Sequence, residues 1–280
     1  MRVLVTGASG RLGTTLRLQL GSNRPEIDPI YLTTPRANLP GATCVDLADL
    51  DALTHAVTAA RPDAVIHLAG VTGGACERDP ELARRINVEA TAVIAQAAAA
   101  AGALRMVFAS TAAVYGDAAS HPISENAELA GTSVYALTKR EAEQQLALFA
   151  TGRDDFSVAS LRIFNVYGSG FDDSLVSRLL RSTAQNPVPL RGPENFVRDY
   201  VLGEDVAVAA LAAANSEMPH AFVPINIGTG IPTSNEQLVA RLSRRRRIFY
   251  TMVDGSASYS CANVEQARAL LGFEPSPLTE

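Results

Sequence analysis

The chain has 280 residues, of which 47% are apolar and 19% are charged. A chain of this length and composition can bury a large core, so disorder is not expected. The 24 lysines and arginines against 29 acidic residues give a net charge of −5, which argues against a nucleic-acid partner.

The cysteines, histidines and apolar runs exclude further classes. Cys44, Cys76 and Cys261 are far apart and predict neither a disulfide framework nor a structural zinc site, so a reducing, cytoplasmic compartment is expected. The four histidines share no metal-ligand spacing, and no metal is expected. The apolar runs are too short for a signal peptide or a membrane anchor, so no membrane partner is expected.

The first 164 residues alternate between short apolar runs and longer helical patterns. The runs are continuously apolar, which is typical of strands in a parallel sheet that is covered on both faces. These strands are predicted at Arg2–Thr6, Ile30–Thr33, Ala64–Leu68, Arg105–Ala109 and Ser157–Ile163.

Two long helices are predicted between these strands. One starts at Pro80, with Asp79 as its N-cap, and stops at Gly102, because proline suits the first helical position and glycine the end. The other runs from about Ser133 to Phe149. The alternation predicts an α/β fold, a Rossmann-type doubly wound parallel sheet with its ligand site beyond the carboxyl ends of the strands.

Shorter elements surrounded by glycine- and proline-rich loops follow residue 164. Helices are predicted at Asp173–Gln185 and Glu204–Asn215, and strands at Phe222–Ile227 and Ile248–Val253. The run Arg244–Arg247 is interpreted as a solvated helix end.

Two domains are therefore expected. The dinucleotide-binding domain comprises residues 1–164, and residues 201–230 return to it. A smaller, interleaved substrate lobe comprises residues 165–200 and 231–280.

A glycine-rich turn follows the first strand and opens the first helix. Gly7 permits the sharp turn, Gly10 lets the backbone approach a pyrophosphate, and Gly13 lets the helix pack on the strand. Free N–H groups and the helix dipole favour an anion at this place. The turn therefore predicts a dinucleotide site that includes Gly7, Gly10, Arg11, Leu12 and Gly13.

The end of the second strand bears on the choice of dinucleotide. An NAD site usually has an acidic residue there for the adenine ribose, whereas a 2′-phosphate calls for arginine and hydroxyl donors. Here the segment reads Thr33-Thr34-Pro35-Arg36. We therefore expect NADP(H) to be preferred, held by Arg36 and by Thr33 or Thr34, with NAD(H) as the alternative.

Tyr135 and Lys139 are four residues apart and share one face of the second long helix. Lowering the pKa of a phenol from about 10 by about 3 units requires roughly 4 kcal/mol, and Lys139 and an oxidised nicotinamide are candidate sources. The strand Arg105–Ala109 ends in Ser110 and Thr111, so a hydroxyl can reach the same substrate oxygen.

These motifs resemble those of the extended short-chain dehydrogenase/reductases, the NAD-dependent epimerase/dehydratase family of sugar-nucleotide epimerases, dehydratases and reductases. The resemblance extends over nearly the whole chain. Besides the glycine turn and Tyr135–Lys139, it rests on the following stretches: Asp46-Leu47, His67–Gly70, Asn87-Val88, Ser110–Gly116, Leu161–Gly168, Arg198–Val201 and Ile225–Gly230.

The resemblance implies a role for each catalytic residue. Tyr135 is the acid/base, and Lys139 orients the nicotinamide ribose and lowers the pKa of the tyrosine. Thr111 binds the reacting hydroxyl or carbonyl, while Ser110 lines the cofactor side.

It also implies the remaining contacts. Asp46 and Leu47 lie near the adenine, and Leu68, Ala69 and Gly70 lie beneath the riboses. Asn165 and Arg198 hold the pyrophosphate of the substrate, which suits a guanidinium. By contrast, His67 is expected to be a histidine satisfied by backbone groups, and Asn87 an amide packed against the sheet.

The expected function is hydride transfer on a nucleotide-linked sugar, by 4-keto reduction or by C4 epimerisation. Dehydratases of the family carry Asp-Glu after the threonine, but here Ala112 and Ala113 follow it. Alanine cannot transfer protons, so dehydration is not expected. The missing acid after the second strand favours reduction. Two alternatives are a dehydrogenase of a free sugar, sugar acid or small carbonyl compound, and a non-catalytic dinucleotide sensor. The resemblance also implies a homodimer through the helices at Pro80–Ala101 and Tyr135–Phe149.

Overall fold

A computed structural model describes residues 1–117, 121–192 and 195–278. Residues 193–194 and 279–280, which belong to the expected substrate lobe, lie outside the described residues. In chain order, the strands of the described part are β1 (Arg2–Thr6), β2 (Asp28–Thr33), β3 (Thr43–Cys44), β4 (Ala64–His67), β5 (Arg105–Thr111), β6 (Ser157–Ile163), β7 (Asn165–Tyr167), β8 (Val188–Arg191), β9 (Phe196–Arg198), β10 (Tyr200–Leu202), β11 (Phe222–Ile227), β12 (Thr233–Ser234), β13 (Tyr250–Val253) and β14 (Ser258–Ser260).

The helices connect these strands, with two short turns of other types among them. A π-helical turn, Arg85–Glu89, joins α4 to α5, and a 3₁₀ turn, Ala112–Tyr115, follows β5. The helices of the described part are α1 (Arg11–Asn23), α2 (Leu50–Ala60), α3 (Gly74–Arg78), α4 (Pro80–Arg84), α5 (Ala90–Ala100), α6 (Val134–Ala150), α7 (Leu175–Leu180), α8 (Gly203–Asn215), α9 (Asn235–Leu242) and α10 (Glu265–Leu271).

Seven strands form one parallel sheet in the order β11-β6-β5-β4-β1-β2-β3. The expected doubly wound α/β fold is confirmed. The chain order reverses between β1 and β4, so their carboxyl ends border the crevice in which such sheets bind ligands.

Both faces of the sheet are covered by helices, which explains why its strands read as continuous apolar runs. Successive side chains of a strand point to opposite faces. Val3 and Val5 of β1 join a core with α1 and α8, whereas Leu4 joins a second core with α2, α5 and α6. All three side chains are fully buried.

The helix α6 positions the tyrosine and the lysine. Ser133 caps it, because its hydroxyl oxygen accepts a hydrogen bond from the N–H of Ala136 over 3.2 Å. The helix therefore begins at Val134, which places Tyr135 in its first turn and Lys139 one turn later. None of the helices in the described part is both long and apolar enough to cross a membrane.

Small sheets and short helices follow β6, and several differ from the expected elements. The helix expected at Asp173–Gln185 is only Leu175–Leu180, because Ser174 caps it and it ends at Arg181. The strand expected from Ile248 begins at Tyr250. The helix expected from Pro80 to Gly102 is interrupted by the π-helical turn.

Candidate functional site

The glycine turn is too tight for any side chain at two of its positions. Gly7 has a φ of +69°, and a Cβ there would lie 2.7 Å from the backbone nitrogen of Ala69. A Cβ on Gly13 would lie 2.2 Å from the carbonyl oxygen of Gly7. The N–H of Gly10 donates to that same oxygen over 2.9 Å. Glycine at these positions lets α1 start directly against the end of β1.

The first turn of α1 is open to an anion. Its N-cap is Gly10, and no side chain caps the helix. The N–H groups of a first helical turn have no intrahelical acceptor. The N–H groups of Arg11, Leu12 and Gly13 are therefore free to bind a phosphate, and the helix dipole favours one.

A cavity of about 320 Å³ lies between the glycine turn, the ends of β4 and β5, and α6; we call it the first cavity. It brings together eight of the residues singled out in the sequence: Arg11, Leu12, Leu68, Gly70, Ser110, Thr111, Tyr135 and Lys139. Phe171, Asp173 and Ser174, from the segment that follows β7, complete the wall.

Tyr135 meets Thr111 in this cavity. Interaction with the Thr111 side chain lowers the pKa of the Tyr135 phenol, as does the nearby charge of Arg11. Burial has the larger effect and raises the pKa of Tyr135 to about 12. In this structure the phenol is therefore protonated at neutral pH.

Lys139 is directed at the sheet rather than at the phenol. Its Nζ donates to the carbonyl oxygen of Ala109 over 2.8 Å and lies 4.5 Å from the centre of the Phe108 ring. Burial lowers the pKa of Lys139 to about 8. Burial dominates the pKa of Tyr135, and Arg11 is the cation that lowers it, so an effect of Lys139 on this phenol stays a prediction.

Ser110 carries a buried polar atom without a partner. The residue is 3% exposed, and its Oγ makes no hydrogen bond. Such a group costs free energy unless a ligand satisfies it. Together with the glycine turn and the uncapped helix, this hydroxyl fits a dinucleotide that lies across the carboxyl ends of the strands.

The residues expected around the adenine lie at the ends of β2 and β3. Thr34, Arg36 and Asp46 are exposed, and Leu47 is buried. Thr33 is buried, and its hydroxyl is 2.5 Å from that of Ser9 in the glycine turn. The backbone ends of these strands therefore adjoin the turn, while Ala69 is buried against Gly7.

A second cavity of about 400 Å³ shares Thr111, Ile163 and Phe164 with the first and contains Asn165 and Arg198. The Arg198 guanidinium lies 3.8 Å from the Phe196 ring centre. It donates to the hydroxyl of Ser258 over 2.7 Å and lies 3.9 Å from the carboxylate of Asp117. Desolvation lowers the pKa of Arg198.

Asp199 fixes the backbone between the two candidate substrate residues. Asn165 donates to its carbonyl oxygen over 3.2 Å. Its carboxylate accepts hydrogen bonds from the backbone N–H groups of Thr229, Gly230 and Ala262 over 2.7, 2.9 and 3.1 Å. This fully buried carboxylate ties β9 to the ends of β11 and β14.

His67 is a structural histidine, but its partners differ from those expected. Its Nδ1 is 2.5 Å from the hydroxyl of Thr6, and its Nε2 is 2.9 Å from that of Thr91. Burial lowers the pKa of His67 to about 3, so the ring is neutral. Two hydroxyl groups, rather than backbone groups, satisfy it.

Asn87 also differs from its expected role. It lies in the π-helical turn, accepts from the N–H of Val71 over 2.8 Å and donates to the carbonyl oxygen of Val71 over 3.0 Å. It donates as well to the hydroxyl of Thr138 over 3.1 Å. The amide therefore joins the loop after Gly70 to α6 instead of packing against the sheet.

Two contacts were not expected from the sequence, one in the first cavity and one in the second. Arg11 forms an ion pair with Asp173 and lies 5.3 Å above the ring of Phe171. Asp117 faces Arg198 in the second cavity. Phe171 and Asp173 closely follow the Asn165–Gly168 motif, and Asp117 directly follows Gly116. Their proximity to these motifs is the feature of the sequence that could have identified all three as site residues.

Comparison with known proteins gives similar chains over the full length. The model of the "NAD dependent epimerase/dehydratase family" matches residues 3–228. UDP-glucose 4-epimerase of Mycolicibacterium smegmatis is 29% identical over 300 residues, which cover 98% of this chain and 94% of that protein.

Solved structures agree with this similarity. MoeE5 in complex with UDP-glucose and NAD has a TM-score of 0.82 and 31% identity, covering 99% of this chain and 94% of that one. MoeE5 in complex with UDP-glucuronic acid and NAD has the same TM-score and coverage with 30% identity.

Proposed function

The chain belongs to the NAD-dependent epimerase/dehydratase family of enzymes, and from that premise we propose that it transfers hydride on a nucleotide-linked sugar, with Tyr135 as the acid/base. The observation that carries this proposal is the wall shared by the two cavities. There Tyr135 and Thr111 line the first cavity together, and Thr111 also lines the cavity of Asn165 and Arg198.

The chemistry follows from these positions. Thr111 holds the reacting oxygen of the substrate while Tyr135 takes or returns its proton. When bound, the oxidised dinucleotide supplies the hydride acceptor and a positive charge beside the phenol. Arg11 adds a further positive charge that lowers the pKa of Tyr135. Burial of the phenol raises the pKa of Tyr135 and so opposes both positive charges. Proton transfer therefore depends on cations close to Tyr135.

Lys139 is assigned to the nicotinamide ribose. It is the only lysine of the chain, and the other 23 of its 24 lysine and arginine residues are arginines. A lysine ammonium is a compact donor with three N–H groups. The planar guanidinium of arginine has a different geometry and cannot take its place. The position of this one lysine in the wall of the first cavity supports a specific task there.

Among the reactions of the family, we place C4 epimerisation first. Dehydration needs additional acid/base groups, and the wall of the second cavity carries Ala112 and Ala113 after Thr111. The similarity to a UDP-glucose 4-epimerase supports epimerisation over reduction of a 4-keto sugar. UDP-glucose and UDP-glucuronic acid, both found bound to MoeE5, are the candidate substrates.

The cofactor is NAD or NADP. The NAD complexes of MoeE5 support NAD. The preference for NADP stays a prediction, which rests on Thr34 and Arg36 at the end of β2 and on the absence of an acid among residues 33–36.

A homodimer through α4, α5 and α6 is also proposed. Leu82 of α4 and Leu137 of α6 are each 40% exposed. Arg84 of α4 pairs with Glu141 of α6 over 2.6 Å, so the two helices present one outer surface. Apolar side chains on such a surface fit a paired helical interface.

The alternatives remain distinct in their binding sites. A dehydrogenase of a free sugar or a small carbonyl compound needs no diphosphate site. The pairing of Arg198 with Asp117 favours this alternative, because the guanidinium then already has an anionic partner. A dinucleotide sensor needs no acid/base beside Thr111, so the contact of Tyr135 with Thr111 argues against it.

One experiment separates these functions. The purified protein is incubated with UDP-glucose without added cofactor, and the product is analysed by NMR for inversion at C4; extraction then identifies any retained dinucleotide. Inversion with retained NAD supports epimerisation. Lack of inversion, with NADPH oxidised by a 4-keto sugar nucleotide, assigns reduction. Thermal stabilisation by dinucleotide but not by UDP, with neither reaction, contradicts a nucleotide-sugar enzyme.

A further inference from the structure

We propose that Asp117 makes the second cavity selective for a neutral sugar over a sugar that carries a carboxylate. The proposal rests on the proposed function, since it requires this cavity to hold a nucleotide sugar. The two kinds of sugar nucleotide have similar shapes but differ in the charge of the sugar.

Asp117 reaches the cavity because of the turn before it. The chain leaves β5 at Thr111, makes the 3₁₀ turn and reverses at Gly116, whose φ is +71°. A Cβ on Gly116 would lie 3.1 Å from the backbone of Ala130, so the reversal is tightly packed. Thr111 and Asp117 therefore stand on one wall of the same cavity.

Two partners hold the carboxylate across the cavity. The hydroxyl of Ser258 donates to Asp117 and accepts from the Arg198 guanidinium, the latter over 2.7 Å. The guanidinium itself is 3.9 Å from the carboxylate. Asp117 is thus anchored beside Arg198, whose guanidinium belongs to the same cavity.

The charges of the wall decide which sugars it accepts. Among the described residues that line the second cavity, Asp117 is the only acid and Arg198 the only base. Arg198 meets the diphosphate of a nucleotide sugar. A carboxylate on the sugar finds no second cation in this wall and is repelled by Asp117. The hydroxyls of a neutral sugar bring no such repulsion and can donate hydrogen bonds to Asp117.

The exposure of Asp117 sets the size of the effect. Its side chain is 69% exposed, so solvent screens the repulsion. We therefore expect about a tenfold difference in affinity rather than complete exclusion of the charged sugar.

Calorimetric titration with UDP, UDP-glucose and UDP-glucuronic acid tests the proposal. The native protein is expected to bind UDP-glucose about tenfold more tightly than UDP-glucuronic acid. In Asp117→Asn, which is isosteric and retains an acceptor for Ser258, the two affinities should agree within about threefold, mainly through tighter binding of UDP-glucuronic acid. Asp172→Asn is the control, because Asp172 is exposed, pairs with Arg181 and lines neither cavity; it should keep the native ratio.

The possible outcomes distinguish failure of the role of Asp117 from failure of the proposed function. Equal affinities in the native protein, tighter binding of UDP-glucuronic acid, or an unchanged ratio in Asp117→Asn overturns the role of Asp117 while leaving a nucleotide-sugar site in place. If the native protein binds neither nucleotide sugar nor UDP, the proposed function fails and the selectivity fails with it.

Discussion

The ammonium of Lys139 donates a hydrogen bond to the carbonyl oxygen of Ala109 over 2.8 Å, at the point where β5 reaches the first cavity. The lysine thereby joins α6 to the central sheet, close to the phenol that it follows by one helical turn. Its charge is buried, and burial lowers the pKa of Lys139 from 10.5 to about 8. This lysine is therefore neutral in a pH range where an exposed lysine is still charged.

Acetylation with acetic anhydride measures that pKa directly. Only the neutral amine reacts, so the rate at Lys139 should rise about tenfold per pH unit below its pKa and level off above about pH 8,. Because Lys139 is the only lysine, mass spectrometry assigns every lysine acetyl group to it, and the α-amino group of Met1 is counted separately.

Saturating NAD should protect Lys139 from acetylation, because the proposed ribose contact occupies its Nζ. The variant Lys139→Arg should lose this label and retain the one at Met1. A rate that continues to rise toward pH 10, or labelling unaffected by NAD, contradicts the burial of Lys139 or its contact with the cofactor.

Ser110→Ala tests the buried hydroxyl without a partner. Removing an unsatisfied polar group should raise the free energy of unfolding of the ligand-free protein by about 1 kcal/mol. It should also weaken dinucleotide binding about fivefold. Denaturant titration and cofactor titration measure the two effects.

Ser160→Ala is the matched control, because the hydroxyl of Ser160 is equally buried but donates to Glu143 over 2.9 Å. This variant should lose about 1 kcal/mol of stability and bind dinucleotide normally. A Ser110→Ala protein that loses stability and keeps its affinity would show that Ser110 serves the fold instead of the cofactor.

Particular residues show how far the sequence can be interpreted. The strands Arg2–Thr6 and Ser157–Ile163 are found at their predicted bounds. Helices on both faces bury them, and the two polar side chains buried in the second strand, Ser160 and Arg162, are bound by Glu143.

The helix expected at Asp173–Gln185 is shorter, because Ser174 caps its start and it ends at Arg181. Asp172 and Asp173 pair with Arg181 and Arg11 before the helix starts, and the second of these partners is 162 residues away.

The candidate site likewise contains some residues that the sequence predicts and others that it does not. Motifs located the glycine turn, Thr111, Tyr135 and Lys139, because each residue type and spacing carries its own chemistry. The π-helical turn at Asn87 has no distinct apolar pattern, since its side chains keep a helical spacing. The contact of Asp117 with Arg198 depends on how two distant loops meet, which no local pattern contains.

Arg36→Ala tests the choice between the two dinucleotides. If the arginine pairs with a 2′-phosphate, its removal should weaken NADP binding about tenfold and leave NAD binding unchanged. Fluorescence titration with both nucleotides measures this. Arg24→Ala, which removes an exposed arginine paired with Glu26, should change neither affinity. Native protein that binds NAD as tightly as NADP, or better, contradicts the preference.

Light scattering tests the homodimer. The native protein should have twice the 29.5 kDa mass of one chain. Leu137→Arg places a charge on the outer face of α6 and should give the monomer mass, because a buried unpaired charge destabilises an interface. Leu104→Arg changes a side chain that is 60% exposed outside these helices and should leave the dimer intact. A native monomer refutes the proposed assembly.

The phenol of Tyr135 is the proposed proton carrier at the wall shared by the two cavities, and the mechanism depends on it most. Tyr135→Phe removes that oxygen and keeps the ring, so it tests the claim most directly when turnover of the nucleotide sugar and the affinity for dinucleotide are measured on the same preparation. Turnover should fall by about a thousandfold, while the affinity for dinucleotide should stay within about threefold of the native value. Turnover within about tenfold of native would show that another group moves the proton.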